Sequence, residues 1–231
     1  MTDTSPLEKA LGVSLTEPAP LRQALVHSSY CNENPAAGLG HNERLEFLGD
    51  AVLDMIVAEK LYLDYPDLAE GAMTKRRASL VRRETLARVA RTIHLGDFLR
   101  LGKGEETTGG RDKVPNLAGA LEAVIAAVYL DRGMETARDM VLRLLAAEWD
   151  RSANVGRDYK SRLQEVTLAR FKAVPDYRLT GESGPAHDKR FTVEVVINGE
   201  TMGEAAGKKK QTAENEAARQ ALDRLGAGFT D

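Results

Sequence analysis

Residues 41–53 read His41-Asn42-Glu43-Arg44-Leu45-Glu46-Phe47-Leu48-Gly49-Asp50-Ala51-Val52-Leu53. Apolar residues recur here at three- and four-residue spacing and continue to residue 63, which predicts a helix over 43–63. On it Glu43, Glu46 and Asp50 stand at i, i+3 and i+7, within a stripe about 60° wide. Carboxylates that close repel one another unless a positive charge lies among them. Hard oxygen donors of this kind suit Mg²⁺ or Mn²⁺, which bind through a few carboxylates and several waters. An exposed acidic face making ordinary ion pairs fits the same three residues. The apolar flanks, and Gly49 beside Asp50, favour a site.

Outward from this segment the chain is helix after helix. The same periodicity predicts helices over 21–30, 72–95, 117–131 and 134–149. Residues 102–115, with Gly104, Gly109 and Gly110, read as a long polar loop. Residues 151–157 read as a linker that closes a first domain of residues 1–150. The pattern then changes. A helix over 159–172 precedes short strands at 177–180, 190–197 and 200–207, the last two joined by the hairpin signal Asn198-Gly199. A final helix spans 209–225. The expected fold is an all-α domain followed by a small α+β domain, residues 158–228, ordered α-β-β-β-α.

The 231 residues are 42% hydrophobic and 29% charged, a globular composition. No apolar run of bilayer length stands out and residues 1–6 lack the features of a signal peptide, so no membrane and a cytoplasmic location are expected. The single cysteine, Cys31, leaves no disulfide or zinc framework. Net charge is −3, with 13 basic against 12 acidic residues from Arg157 onward, so any nucleic-acid surface must come from charge arrangement. No phosphate-cradling GxxxxGK[ST] and no dinucleotide fingerprint occurs.

The run 42–53 resembles the signature of the ribonuclease III family. Leu25-Val26-His27-Ser28-Ser29-Tyr30, Glu70-Gly71-Ala72-Met73-Thr74-Lys75-Arg76-Arg77-Ala78-Ser79-Leu80-Val81 and Leu121-Glu122-Ala123-Val124-Ile125-Ala126-Ala127-Val128-Tyr129-Leu130-Asp131 resemble further family blocks. The resemblance implies a homodimeric endonuclease for double-stranded RNA that leaves 5′-phosphate and 3′-hydroxyl ends and serves rRNA and mRNA processing. It implies metal binding by Glu46, Asp50 and Glu122. Glu43 and Glu70 would line the catalytic cleft, and Phe47 would pack into the partner subunit. The family pattern has Asp three residues before Glu122, where this chain has Gly119. Three alternatives stay open. Water completes the coordination, or Asn116 substitutes although it lies about 60° away around the helix. Otherwise the centre is weak and the protein only binds RNA.

The C-terminal part resembles the double-stranded RNA-binding domain. Lys208, Lys209 and Lys210 open its last helix, where cationic side chains and free N–H groups can bridge phosphates of an A-form duplex without reading sequence. Gln164 and His187 would reach the flanking minor grooves.

Overall fold

A computed structural model describes residues 3–38, 40–66, 68–152, 159–185 and 188–228. The chain divides into two compact units, residues 1–156 and 157–231.

The first unit is helical: α1 (Ser5–Leu11), α2 (Pro18–Ala24), α3 (Ser28–Glu33), α4 (Glu43–Asp64), α5 (Glu70–Val81), α6 (Arg83–Thr92), α7 (Lys103–Thr107), α8 (Val114–Leu144) and α9 (Ala146–Ser152). Several differ from the periodicity reading for local reasons. The helix expected over 21–30 breaks because Val26 forms an isolated parallel bridge with Arg100, sealed by Arg100 N–H to Leu25 O (2.8 Å) and His27 N–H to Arg100 O (3.1 Å). The helix expected over 72–95 breaks at Arg82, whose ψ of 150° is extended. The expected loop 102–115 contains α7 and a 3-10 turn, Gly110–Asp112, cross-linked by Lys113 to Glu105 (2.9 Å). The break expected between helices 117–131 and 134–149 is found at Gly133 (φ 79°, ψ 178°), where the backbone within α8 is not helical, and residues 146–149 belong to α9. Arg151 and Ser152, read as linker, continue α9, and 153–157 lie outside the described residues.

No membrane-length run stood out in the sequence, yet α8 is long and apolar enough to cross a membrane by length and composition. Here 61% of that apolar window is buried inside the protein. The reason is its alanine-rich composition: Ala118, Ala120, Ala123, Ala126 and Ala127 all lie in the core. Against α8 packs the apolar face of α4, formed by Leu45, Val52, Leu53, Ile56, Val57 and Leu61. At their crossing a Cβ on Gly49 would stand 1.8 Å from the backbone oxygen of Glu122. No side chain fits there, so glycine is what lets the two helices touch. Elsewhere Arg76, only 1% exposed, lies 4.1 Å from the Tyr65 ring centroid and donates to Tyr65 Oη (2.9 Å) and Ser152 Oγ (3.1 Å), pinning α5 to α9.

The second unit consists of α10 (Tyr159–Phe171), β1 (Asp176–Ser183), β2 (Arg190–Ile197), β3 (Glu200–Gly207) and α11 (Lys210–Arg224). The antiparallel sheet has the order β1-β2-β3. Asn198 (φ 52°) and Gly199 (φ 85°) both take positive φ, as a two-residue hairpin turn requires. Tyr159, Leu163 and Val166 of α10 and the small residues Ala217, Ala218 and Ala221 of α11 share one core with Val195, Ile197 and Ala205 of the sheet. The expected α-β-β-β-α domain is therefore present.

Gly49→Ala should force α4 and α8 apart. Alanine's better helix propensity, about 1 kcal/mol, does not offset overpacking against backbone. The variant should lose about 2 kcal/mol in urea-induced unfolding, and wild-type stability would overturn this account of the crossing.

Candidate functional site

Glu43 and Glu46 lie in the first turn of α4. That turn is anchored by buried Asn42, which donates from its backbone N–H to Val26 O (2.9 Å) and from Nδ2 to Ala24 O (3.3 Å). His27 caps α3, its Nδ1 accepting from Ser29 N–H (3.2 Å). Between these segments and α8 lies a pocket of about 130 Å³ whose lining includes His27, Glu43, Glu46, Arg83, Asn116 and Gly119.

Glu46 and Glu122 are half-buried, and Asp50 is exposed. Burial pushes the Glu122 carboxyl up to about 7, with the charges of Asp50 and Glu46 adding to the rise and Arg83 opposing it. Burial likewise raises the Glu46 carboxyl, helped by Glu43 and Asp50 and opposed by Arg83 and His27. Carboxylates from α4 and α8 thus sense one another directly, as the Gly49 crossing allows.

The side chain beside Gly119 is that of Glu46. A Cβ built on Gly119 would stand 2.6 Å from Glu46 Oε2, so the Glu46 carboxylate lies over the space an aspartate would enter. Asn116 lines the same pocket with its Nδ2 engaged by Glu105 Oε1 (2.8 Å) and Gly110 O (2.9 Å), which leaves its Oδ1 as the atom it could offer a cation. The carboxylates expected to bind a metal are those of Glu46, Asp50 and Glu122. Among the described residues no three His, Cys, Asp or Glu side chains stand so as to hold a metal ion directly. The donors still fit a hydrated divalent cation. They are hard oxygens whose repulsion needs a positive charge, and Mg²⁺ binds through one or two carboxylates with retained waters.

The sequence reading missed two residues. Asp54 lies one turn beyond Asp50, contributes to raising Glu122, and has its Oδ1 buried with no hydrogen-bond partner among the described residues. The sequence held that signal, since 54 is 11 residues from 43 and falls on the same stripe. Arg83 reaches the pocket from α6, and no spacing within one helix reveals it.

The remaining expected residues are scattered. Glu43 is exposed, 3.7 Å from His41 Nδ1. Glu70 opens α5, accepts from Thr74 Oγ1 (2.9 Å) and does not line the pocket. Phe47 is 80% exposed on α4, as are Met55 (54%) and Tyr62 (71%). In the second unit Gln164 is exposed on α10. Lys210 opens α11, Lys209 is its N-cap, and Lys208 precedes it, 2.8 Å from Asp188. All three lysines are exposed, and such surface pairs are weak enough to exchange for phosphate. His187 lies outside the described residues.

The family model described as Ribonuclease-III-like matches residues 17–148. The chain belongs to the ribonuclease III family. Its second unit matches the double-stranded RNA binding motif over residues 159–225. Among ribonuclease III relatives, Ribonuclease 3 of Dehalococcoides mccartyi strain CBDB1 is 48% identical, over all of this chain and 98% of the relative. Ribonuclease 3 of Streptomyces coelicolor is also 48% identical, over 93% of this chain and 77% of the relative. Of solved structures, the nuclease domain of ribonuclease III from Campylobacter jejuni is 39% identical with a TM-score of 0.59, covering 64% of this chain and 97% of that one.

Glu122 predicts a pH dependence for the metal-free protein. Its carboxyl binds a proton more tightly when folded, near 7, than at its ordinary value of 4.5. Protonation therefore favours the folded state: the contribution is complete below about pH 4.5 and is lost as pH rises through about 7. In EDTA, stability measured by urea unfolding should fall across that window more steeply for wild type than for Glu122→Gln. Parallel profiles would contradict the assignment.

Proposed function

We propose that the protein hydrolyses phosphodiester bonds of double-stranded RNA at the α4–α8 crossing, with Mg²⁺ or Mn²⁺ associated with Glu122, Asp50 and Glu46. It is a double-stranded-RNA endoribonuclease, as its family, its RNA-binding motif and its full-length relatives indicate. What supports the site is the backbone approach of α4 and α8 at Gly49, which brings Glu122 within reach of the charges of Asp50 and Glu46. When bound, the cation supplies a Lewis acid for the phosphoryl oxygen and acidifies a coordinated water.

The chain's own residues do the rest. Glu122, its carboxyl pushed up to about 7 without a cation, gives up the proton it carries when it takes one. Glu46 lies over Gly119, in the space an aspartate would enter, and water would fill the coordination positions that remain. Glu43 carries negative charge to the pocket mouth, and Glu70 approaches the duplex only on assembly. Lys208, Lys209, Lys210, Gln164 and His187 hold the RNA. The products carry 5′-phosphate and 3′-hydroxyl ends, and the natural setting is rRNA and mRNA processing in the cytoplasm.

The exposed α4 stripe Phe47, Met55 and Tyr62 is the face on which two copies meet. A second solved structure of the C. jejuni nuclease domain is described as structurally flexible in a region involved in dimer formation. Light scattering should give twice the chain mass of 25.2 kDa, and Phe47→Glu should shift the protein towards monomer. A monomeric wild type would sink this part.

Gly119, and the lack of a ready-made cage, favour a second reading in which the protein binds duplex RNA without cutting it. One assay separates them: a long RNA duplex incubated with protein and Mg²⁺, Mn²⁺ or EDTA. Shortening with either metal and none in EDTA is the expected result. A gel shift without cleavage in every metal establishes the binder instead. Glu122→Gln should cut about 100-fold more slowly or worse while still shifting the duplex. Gly119→Asp must displace the Glu46 carboxylate, and should then lower the Mg²⁺ midpoint about tenfold; an unchanged midpoint removes the missing ligand from the explanation.

A further inference from the structure

We infer that Arg83 is a phosphate-contacting residue, whose guanidinium receives a backbone phosphate of the RNA duplex at the pocket beside Glu46 and Gly119. The inference rests on the duplex-cleaving function proposed above.

Three observations carry it. The extended backbone of Arg82 ends α5 and starts α6, and Arg83, the first residue after the break, lines the pocket together with Glu46 and Gly119. Second, Arg83 is uncommitted. Arg76, Arg88, Arg91, Arg111 and Arg138 of the same unit all donate to named acceptors, whereas Arg83 is exposed and makes no hydrogen bond or ion pair among the described residues. Third, a cation in the first turn of a helix stands at the wrong end of the helix dipole. The α6 dipole thus gives Arg83 no stabilisation, and the charges it meets in the fold include those of Glu46 and Glu122.

The chemistry fits a phosphate. An RNA backbone approaching Glu43 and Glu46 meets like charge, and Arg83 is the permanently charged cation in the pocket lining. A guanidinium presents paired N–H donors that match two phosphate oxygens, and it cannot be deprotonated. Arg83 also draws down the carboxyls of Glu46 and Glu122, so its charge reaches the space between them. A mere counter-ion for those carboxylates would share the placement but would not touch RNA, and that difference can be measured.

The experiment uses the full chain with Arg83→Ala and Arg83→Lys, both at an exposed position, with thermal unfolding as the check on folding. Binding of a fluorescent RNA duplex of defined length is read by anisotropy in EDTA across a salt series. Arg83→Ala should bind roughly tenfold more weakly, with a log–log salt slope shallower by about one. Arg83→Lys should recover part of the affinity, since it keeps the charge and loses the fork. Wild-type affinity and slope for Arg83→Ala would overturn the inference. So would an effect confined to the Mg²⁺ midpoint for cleavage, which assigns Arg83 to the carboxylates alone. Wild-type cleavage in Mg²⁺ is scored alongside: its absence sinks the nuclease reading, while the EDTA comparison still decides Arg83.

Discussion

The backbone contact between α4 and α8 at Gly49 governs the first unit. Adding one carbon at that position would place it 1.8 Å from the Glu122 backbone oxygen. Because the helices touch there, the acids of α4 and Glu122 of α8 lie within electrostatic reach. Large apolar side chains on both sides, Leu53 and Ile56 on α4 and Leu121 and Ile125 on α8, hold the crossing closed. Separating the helices would relieve the carboxylates and dismantle the site at once. The apolar core therefore supplies the free energy that keeps like charges together.

That opposition explains the character of the site. Burial pushes the Glu122 carboxyl up to about 7, and Glu46 lies over Gly119, which makes room for it. The missing aspartate does not leave a hole, because the acid from the facing helix takes the room. Arg83 enters from a third helix and moderates the same charges. With Gly119 in place of an acid and Arg83 in its lining, the pocket is less negative than its acids alone would make it.

Much of this was legible in the residues. The helix expected over 43–63 is found as Glu43–Asp64, and strands 190–197 and 200–207 stand where alternation and the Asn198-Gly199 turn put them. Boundaries failed where tertiary hydrogen bonds overrode periodicity. Val26 leaves its helix to pair with Arg100, and Arg82 breaks an apolar pattern that runs on across it. Glycine-rich residues 102–115 read as loop because the helix α7 within them is only five residues long. Asp54 is visible in the spacing, but its apolar neighbours conceal it.

The sequence by itself determined which faces of each helix are apolar, the order of elements in both units, and the acids available to a site. Those properties are local, set by the side-chain period of helix and strand. Only the tertiary structure decided that Glu46 lies over Gly119, that Asn116 is tied to Glu105 and Gly110, and that Arg83 shares a pocket with Glu46. Such proximities depend on how three helices pack around small residues, and no one-dimensional spacing encodes the distance between side chains on different helices.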